Sequence, residues 1–276
     1  MTERQAELSA AALDAALEPV AEALATAKRV LVVTGAGISA DSGMPTYRGV
    51  GGIYDRGVTD EGMPIEVALS GAVFERRPAV SWKYILEIER ACRGAVPNRA
   101  HEVIAALDAA ERETWVLTQN VDGLHRRAGS RRLIDIHGDV RSLVCTRCRA
   151  GEVVEDYRRF DGVVLPPRCP RCEGVLRPAV VLFGELLPED KLAELRAERS
   201  RGFDVVLSVG TTSAFPYIAG PVLEARRLGL PTVEVNPGET AVSALVRHRV
   251  RAGAARAFGA LARLLCLPGG QAEETA

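Results

Sequence analysis

Residues 30–40 read VLVVTGAGISA, an apolar run followed at once by a glycine turn. Four consecutive apolar residues bounded by a turn signal are typical of a buried strand in a parallel sheet. The turn, Gly35-x-Gly37-x-x-Ala40, matches the loop that brings a dinucleotide pyrophosphate against a helix N-terminus, with alanine in the third position. Taken alone, the motif is equally compatible with a plain tight turn, since short glycine motifs recur without a ligand.

Short apolar runs recur along the chain and alternate with helical periodicity. We predict strands at 30–33, 115–117, 133–136, 205–209 and 232–235, and helices at 5–28, 100–110, 220–228 and after residue 250. This alternation favours an α/β fold with a Rossmann-like doubly wound parallel sheet. With 276 residues, 47% of them hydrophobic, the chain is long enough to bury a substantial core.

Two regions interrupt the alternation. Residues 43 to about 64 are rich in glycine and proline and show no strand pattern, which predicts a long ordered loop over the carboxyl edge of the sheet. Residues 138–180 hold two cysteine pairs and few core residues, which predicts an inserted zinc-binding lobe stabilised by metal rather than by burial. The predicted nucleotide-binding domain comprises 1–43, 96–137 and 181–276, and residues 44–95 supply the loop and the helical part of a small domain.

The cysteine pairs predict a metal site. Four thiolates at the spacing Cys145-x-x-Cys148 and Cys169-x-x-Cys172 close a tetrahedral shell without an open position, so we expect one structural zinc ion. Disulfides are the alternative, but six cysteines are too few for a disulfide scaffold. The arginine excess of the lobe is interpreted as a solvated surface rather than a nucleic-acid face.

Composition also bears on partners and compartment. A formal net charge of −1 provides no overall field for nucleic acid or an anionic membrane. No apolar run approaches the roughly 18 residues of a membrane span. The N-terminal stretch carries Glu3, Glu7 and Asp14 and lacks the apolar core of a signal peptide. We therefore expect a cytoplasmic protein without a nucleic-acid or membrane partner.

Two further segments follow predicted strands on the side where a nucleotide would bind. The segment GTTS at 210–213 offers amides and hydroxyls to phosphate, although capping of the next helix is an equally open alternative. Asn236 follows the strand at 232–235 and is placed to reach a ribose hydroxyl. An ordinary dehydrogenase is disfavoured, because Asp55 and Asp60 lie at the required distance from the turn but follow no strand pattern.

Several motifs together resemble the signature of the sirtuins. Residues 35–49 read GAGISADSGMPTYRG, residues 118–125 read TQNVDGLH, and His137-Gly138 follows. The cysteine pairs, VVLFGE at 180–185, the GTTS segment and Asn236 continue the pattern over about residues 25–260. The resemblance implies an NAD-dependent protein lysine deacylase, most readily a deacetylase, that converts NAD and acylated lysine side chains of proteins into nicotinamide, O-acyl-ADP-ribose and free lysine.

The resemblance also implies roles for individual residues. His137 would be the general base on a ribose hydroxyl, since histidine titrates near neutral pH. The alternative for an isolated histidine is a structural role, and we interpret His125 in that way. Asn120, grouped with His137 as catalytic, would hold the nicotinamide ribose and carboxamide together with Asp122. The implied cofactor-binding set is Gly35, Ala36, Gly37, Ile38, Thr46, Tyr47, Arg48, Gln119, Asn120, Asp122, Gly210, Thr211, Thr212, Asn236, Pro237 and Ala254.

The same resemblance implies a peptide site between the two domains. The substrate would add as a strand, using backbone groups of Phe183, Gly184 and Glu185. Val181 would offer its carbonyl to the acyl-lysine amide, and Phe183 would line an apolar lysine tunnel.

Two departures from the family pattern concern specificity. Thr46 stands where many sirtuins carry Asp. A threonine at this position resembles the branch of the family that includes desuccinylases. Enzymes of that branch bind an acidic acyl chain with a Tyr and with an Arg three residues later. The nearest local match is Tyr84 with Glu87 in place of the cation, so like-charge repulsion favours acetyl or longer neutral acyl groups. The order Pro216-Tyr217 is reversed relative to the family and bears on the contacts of the following helix.

Two other function classes remain open at this level. An ADP-ribosyltransferase or NAD hydrolase on the same scaffold would share the nucleotide residues without needing a lysine tunnel. A non-enzymatic NAD-sensing module would make its contacts through the zinc lobe. The matches at Val181, Phe183 and His137 favour the deacylase.

Overall fold

The computed structural model of the protein describes residues 8–44, 58–108 and 112–267. Most of the predicted loop at 43–64 lies outside these ranges, and so do the predicted cofactor residues Thr46, Tyr47 and Arg48. Within the described ranges, no helix combines the length and the apolar character needed to cross a membrane.

The strands form two sheets. A six-stranded sheet has the order β3-β2-β1-β7-β8-β9 with all neighbours parallel, and a three-stranded antiparallel sheet has the order β5-β4-β6. The bounds are β1 (Arg29–Thr34), β2 (Glu113–Thr118), β3 (Arg132–Asp135), β4 (Gly138–Cys145), β5 (Gly151–Val153), β6 (Leu176–Val180), β7 (Val205–Val209), β8 (Thr232–Val235) and β9 (His248–Val250). The predicted Rossmann-like sheet is confirmed. Its strand order reverses between β1 and β7, and ligands of doubly wound sheets generally bind at the carboxyl ends of the strands at such a reversal.

Helices cover both faces of the large sheet. The α-helices of the described ranges are α1 (Ala10–Thr26), α2 (Ile65–Ala68), α3 (Gly71–Arg76), α4 (Pro78–Cys92), α5 (Arg99–Ala106), α6 (Leu124–Arg127), α7 (Glu189–Ser200), α8 (Pro216–Arg227) and α9 (Ala254–Leu264). Of these, α2 to α4 pack against the small sheet instead. Val30 and Val32 pack with α1, α5 and α9, whereas Leu31 and Val33 pack with α7 and α8. Because strand side chains alternate between faces, the whole run is buried, as its composition predicts.

Several element boundaries differ from the sequence prediction. The first helix begins at Ala10, after the N-cap Ser9 accepts a hydrogen bond from the amide of Ala12. The helix α5 ends at Ala106, and α8 begins four residues before Gly220. The helix α7 and the strand β9 were not predicted, because α7 buries only one apolar side chain and β9 spans three residues.

The small sheet shares one hydrophobic core with α2, α3 and α4. Trp82 of α4 is fully buried there, donates its indole N–H to the carbonyl of Leu176 at 2.7 Å, and packs edge-on against Phe160. Burial therefore stabilises the lobe in addition to the predicted metal, and the expectation of little core material is wrong. The lobe's apolar side chains pack against helices that are distant in sequence, so the core was invisible in residues 138–180 alone.

Two buried histidines lie beside the large sheet. The rings of His101 and His125 meet edge to face at 4.8 Å, and His125 Nε2 lies 3.0 Å from the hydroxyl of Thr34. His101 accepts a hydrogen bond from the Asn98 amide within a capping box at the start of α5. Burial lowers the pKa of His101 to about 4 and the pKa of His125 well below its ordinary value. The structural interpretation of His125 agrees with these contacts.

Acid should therefore destabilise the fold through these two residues. Above pH 6.5 both are neutral in the folded and unfolded states, but below it only the unfolded chain binds the protons, so stability falls between pH 6.5 and about 4. Between pH 7.5 and 4.5 we expect His101 alone to account for about 2.5 kcal/mol of lost unfolding free energy. The measurement is urea unfolding at both pH values for the wild type and His101→Gln, which retains a capping-box side chain. Equal pH dependence in the two proteins would contradict this assignment.

Candidate dinucleotide site and metal centre

The carboxyl ends of the strands bring several predicted residues together. Gln119, after β2, donates its side-chain amide to the Thr211 hydroxyl at 2.7 Å. Asn236, after β8, donates to the Thr211 carbonyl at 3.2 Å. The helix-capping alternative for residues 210–213 is wrong, because α8 begins at Pro216 and its N-cap Phe215 makes no side-chain capping bond. The segment instead joins the loops at the edge of the sheet.

The glycine turn is held against the end of β7. It continues into a short 3-10 helix, Ala36–Ser42, rather than directly into an α-helix. The amide of Gly37 donates to the Gly210 carbonyl at 2.8 Å. Gly210 has a φ of +58°, and a Cβ atom there would lie 2.3 Å from the nitrogen of Ile38. The glycines therefore permit a close contact between two loops, so the tight-turn alternative describes only part of their role.

Asn120 presents an unpaired acceptor at this edge. The residue is only 4% exposed, and its Nδ2 donates to the Gly35 carbonyl at 3.1 Å and to Ser39 Oγ at 3.2 Å. Its Oδ1 has no hydrogen-bond partner among the described residues. A buried acceptor without a partner is costly, so Oδ1 fits a donor from a ligand such as an amide or a hydroxyl.

Ser39 connects Asn120 to Asp122 and was missed by the sequence analysis. Its hydroxyl donates to the Asp122 carboxylate at 2.8 Å, and the same carboxylate accepts from the Leu124 amide at 2.9 Å. Burial raises the pKa of Asp122, and these two hydrogen bonds partly oppose the effect. The position of Ser39 inside the glycine turn was the available signal, but its partners lie more than 80 residues away.

His137 lies between β3 and β4, and its hydrogen bonds define its tautomer. Its Nδ1 lies 2.9 Å from the carbonyl oxygen of Gln119, which only accepts, so Nδ1 carries the proton. Its Nε2 therefore has the lone pair, and the hydroxyl of Tyr217 donates to it at 2.7 Å. Burial lowers the pKa of His137, which keeps the imidazole neutral near pH 7. The ring is thus prepared to accept a proton at Nε2.

Gly138 fixes the backbone next to this imidazole. Its φ is +84°, and a Cβ atom there would lie 2.0 Å from the Ala179 carbonyl oxygen. The close approach lets β4 pair with β6, and the Val181 amide donates to the His137 carbonyl at 2.9 Å. The predicted substrate residue Val181 therefore lies directly beside the predicted base.

The backbone groups of Phe183, which were predicted to pair with a substrate strand, are already engaged in this conformation. The Phe183 amide donates to Leu69 and its carbonyl accepts from Gly71, so a segment of the small domain already uses both groups. The Glu185 carboxylate pairs with Arg177 and accepts from the Leu182 amide. Gly184 is exposed between them.

The remaining predicted cofactor residues lie around the same edge. Ala36 is partly exposed, and Thr212 and Pro237 are exposed in the loops after β7 and β8. Ala254 is buried at the start of α9, whose next amide, that of Ala255, is held by the Asp41 carboxylate at 3.0 Å.

The four predicted cysteines form one cluster. Their sulfur atoms all lie within 4.8 Å of one another, with Cys145 Sγ 3.5 Å from Cys172 Sγ and Cys148 Sγ 3.8 Å from Cys169 Sγ. Sulfur ligands placed tetrahedrally at about 2.3 Å from zinc are separated by about 3.8 Å, whereas a disulfide needs about 2.05 Å. All six cysteines are free thiols, so the disulfide alternative is excluded.

Backbone amides support the cluster. Those of Arg147 and Cys148 point at Cys145 Sγ from 3.4 and 3.5 Å. The bond from Cys148 is the main cause that lowers the pKa of the Cys145 thiol to about 6, so the thiolate form that binds metal is favoured. The donor set therefore fits zinc.

Fold and site together define a doubly wound α/β nucleotide-binding protein with an attached four-cysteine metal lobe. The chain belongs to the Sir2 family, whose model matches residues 35–215. It is 56% identical over 227 residues to NAD-dependent protein deacylase 2 of Pseudomonas aeruginosa, covering 81% of this chain and 87% of that protein. It is 43% identical to the NAD-dependent protein deacylase of Aeropyrum pernix, covering 79% and 84% of the two chains.

Solved structures show the same similarity. A Sir2 homologue in complex with NAD superposes with a TM-score of 0.79 at 34% identity, covering 90% of this chain and 93% of that chain. A complex of Sir2 with a p53 peptide and NAD gives a TM-score of 0.76 at 30% identity, covering 89% and 97% of the chains.

Proposed function

We propose that this protein is an NAD-dependent protein lysine deacylase that works in a reducing cytoplasm. The observation that carries the proposal is the neutral imidazole of His137, which lies between the Gln119 carbonyl and the Tyr217 hydroxyl of α8. The Asn120 Oδ1, to which no group in the described part of the chain donates, and the close-packed glycine turn lie at the same edge. Relatives that are 56% and 43% identical carry the name of this activity.

His137, Asn120 and Asp122 would have different roles in the reaction. When bound, NAD supplies an electrophilic ribose carbon that carries nicotinamide as the leaving group. His137 would accept a ribose hydroxyl proton at Nε2, because its Nδ1–H is held by Gln119. Asn120 would accept a hydrogen bond from the ligand through Oδ1, and Asp122, held by Ser39, would complete the polar wall.

The metal and the peptide site have separate tasks. The zinc ion would hold the lobe and take no part in the chemistry, since four protein ligands leave no open position. The peptide would approach at Val181 and the exposed Gly184, with the ring of Phe183 beside the lysine chain. We assign the large domain to 1–43, 96–137 and 181–276, and the small domain to 44–95 and 138–180, because α2 to α4 and the lobe share one core.

One assay tests the proposed function. Purified protein is incubated with NAD and an acetyl-lysine peptide, and the products are identified by mass spectrometry. We expect free lysine peptide, nicotinamide and O-acetyl-ADP-ribose in equal amounts. NAD loss that does not require the peptide would instead show a hydrolase, ADP-ribosylated protein would show a transferase, and no NAD loss would favour a sensing module. Each of these three outcomes would contradict the proposal.

Neutral acyl groups are the expected substrates. Tyr84 is buried and its hydroxyl donates to the Glu61 carboxylate, while Lys83 is paired with Asp60 and Glu61. Glu87 is exposed to solvent. Residues 84–87 therefore offer no cation to an acidic acyl chain, and the neighbouring Lys83 is already paired. We expect acetyl removal to exceed succinyl removal by about tenfold or more in kcat/KM. Peptides that differ only in the acyl group measure this ratio, and faster succinyl removal would contradict it.

Gly210→Ala should weaken dinucleotide binding. The new methyl group would stand 2.3 Å from the Ile38 nitrogen at a positive φ, so the glycine turn would have to move away from β7. We expect a loss of about tenfold or more in NAD affinity, measured by calorimetry. The control is Gly220→Ala in α8, where the nearest atom to the new Cβ is 4.0 Å away. Equal NAD affinity in the two variants would contradict the role of the loop contact.

A further inference from the structure

Tyr217 occupies the proton-accepting atom of His137. It lies in the first turn of α8, four residues after the GTTS segment at 210–213, and its hydroxyl is 2.7 Å from Nε2. Its ring meets the imidazole nearly perpendicularly, at 76° with centroids 6.0 Å apart. On its other side the ring stacks on Phe215 at 5.6 Å and 17°. The contacts of the Tyr217 ring with His137 and Phe215 therefore orient its hydroxyl towards Nε2.

The direction of this hydrogen bond follows from the other partners. Because Nδ1 donates to the Gln119 carbonyl, Nε2 is the acceptor and the phenol is the donor. Burial raises the pKa of Tyr217, so the phenol keeps its proton at neutral pH. A neutral imidazole has one lone pair in the ring plane, and Tyr217 uses it.

A substrate hydroxyl needs the same lone pair. A general base must come within about 2.6–3.2 Å of the group from which it takes a proton. Two donors directed at one lone pair exclude each other, so the ribose hydroxyl and the Tyr217 hydroxyl are alternatives. We propose that Tyr217 is a positioning residue that caps the His137 base in the ligand-free protein and releases it when the dinucleotide binds. This inference rests on the proposed function.

Other groups packed around His137 also bear on the imidazole ring, in addition to the Tyr217 contact. Burial lowers the pKa of His137, and the hydrogen bond to the Gln119 carbonyl partly opposes it. From β4, the Asp139 carboxylate is turned to the Arg141 amide at 2.8 Å, and from the segment after β6 the Val181 amide bonds the His137 carbonyl rather than the ring. The only ring contact from α8 that the described residues show is that of Tyr217.

The test is Tyr217→Phe, which keeps the ring and removes the hydroxyl. The cap stabilises the neutral imidazole, so its loss should raise the pKa of His137 in the free protein by about half a unit to one unit. NMR titration of the four histidines detects this, with His137→Ala assigning the resonance. The acid limb of kcat/KM should shift equally, and its plateau should rise by about fivefold. The value of kcat should be unchanged, because the contact is already broken in the substrate complex.

Tyr84→Phe is the matched control, since its hydroxyl bonds Glu61 and not His137. It should leave the His137 titration unchanged. An unshifted titration in Tyr217→Phe would overturn the proposal, and a fall of tenfold or more in kcat would show that the phenol transfers the proton itself. The titration needs neither NAD nor peptide. Absence of deacylation by the wild type would therefore contradict the proposed function while the cap is still tested by itself.

Discussion

Replacement of His137 by alanine is expected to lower kcat for deacylation by about two to four orders of magnitude. The variant removes the neutral Nε2 acceptor, which is held in position by the Gln119 carbonyl and lies at the carboxyl edge of the sheet. Binding of NAD should stay within about threefold of the wild type, since the glycine turn and the Thr211 links do not depend on the imidazole. Product formation by mass spectrometry and NAD binding by calorimetry measure the two quantities.

His248→Ala is the matched control. His248 is the first residue of β9 and therefore lies at the amino end of the parallel sheet, away from the carboxyl ends of the strands. We expect this variant to retain kcat within about twofold. If His137→Ala kept more than a tenth of the wild-type kcat, or lost NAD binding together with activity, the role of the imidazole as base would be refuted.

Removal of the metal should unfold the small domain. Cys169 is buried, and its sulfur belongs to the cluster that closes the lobe beside the core around Trp82. A structural zinc ion contributes on the order of 10 kcal/mol, which is comparable to the whole stability of a typical domain. We therefore expect Cys169→Ala, or strong chelation, to lower deacylation more than a hundredfold and to expose residues 138–180 to proteolysis. Zinc content per chain and limited proteolysis are the measurements.

Cys266→Ala provides the control for a cysteine outside the cluster, because Cys266 is exposed after α9. It should bind one zinc ion per chain and keep full activity. Reducing agent should have no effect on the wild type, as expected for thiolate ligation rather than disulfides. A metal-free protein with full activity would show that burial alone supports the small domain.

The strands of the large sheet were predictable because their signal is local. The runs at 30–33 and 205–209 are continuous and apolar, and strands of a parallel sheet that are covered on both faces need that composition. The cysteine spacing was equally informative, since ligand geometry restricts which thiols can share one ion. Helix ends such as that of α5 were less predictable, because packing decides where an amphipathic pattern stops.

Other features depend on contacts between distant segments. Phe183 looked available for strand addition, yet residues 69–71 pair with its backbone. The core of the zinc lobe is completed by α4, which lies about 60 residues earlier in the chain. The reversed Pro216-Tyr217 order indicated an altered contact without naming its partner, and the partner is the imidazole of His137.

The sequence by itself determined the parallel sheet, the four metal ligands and the set of polar residues after the strands, since each depends on residue type and short-range spacing. Only the tertiary structure decided which of these groups are already bonded within the protein. Among the described residues it left Asn120 Oδ1 without a partner, engaged the Phe183 backbone, and placed the Tyr217 hydroxyl on His137 Nε2. The reason is physical: a hydrogen bond depends on distances of a few tenths of an ångström between atoms that are remote in sequence, and packing of the whole chain sets those distances.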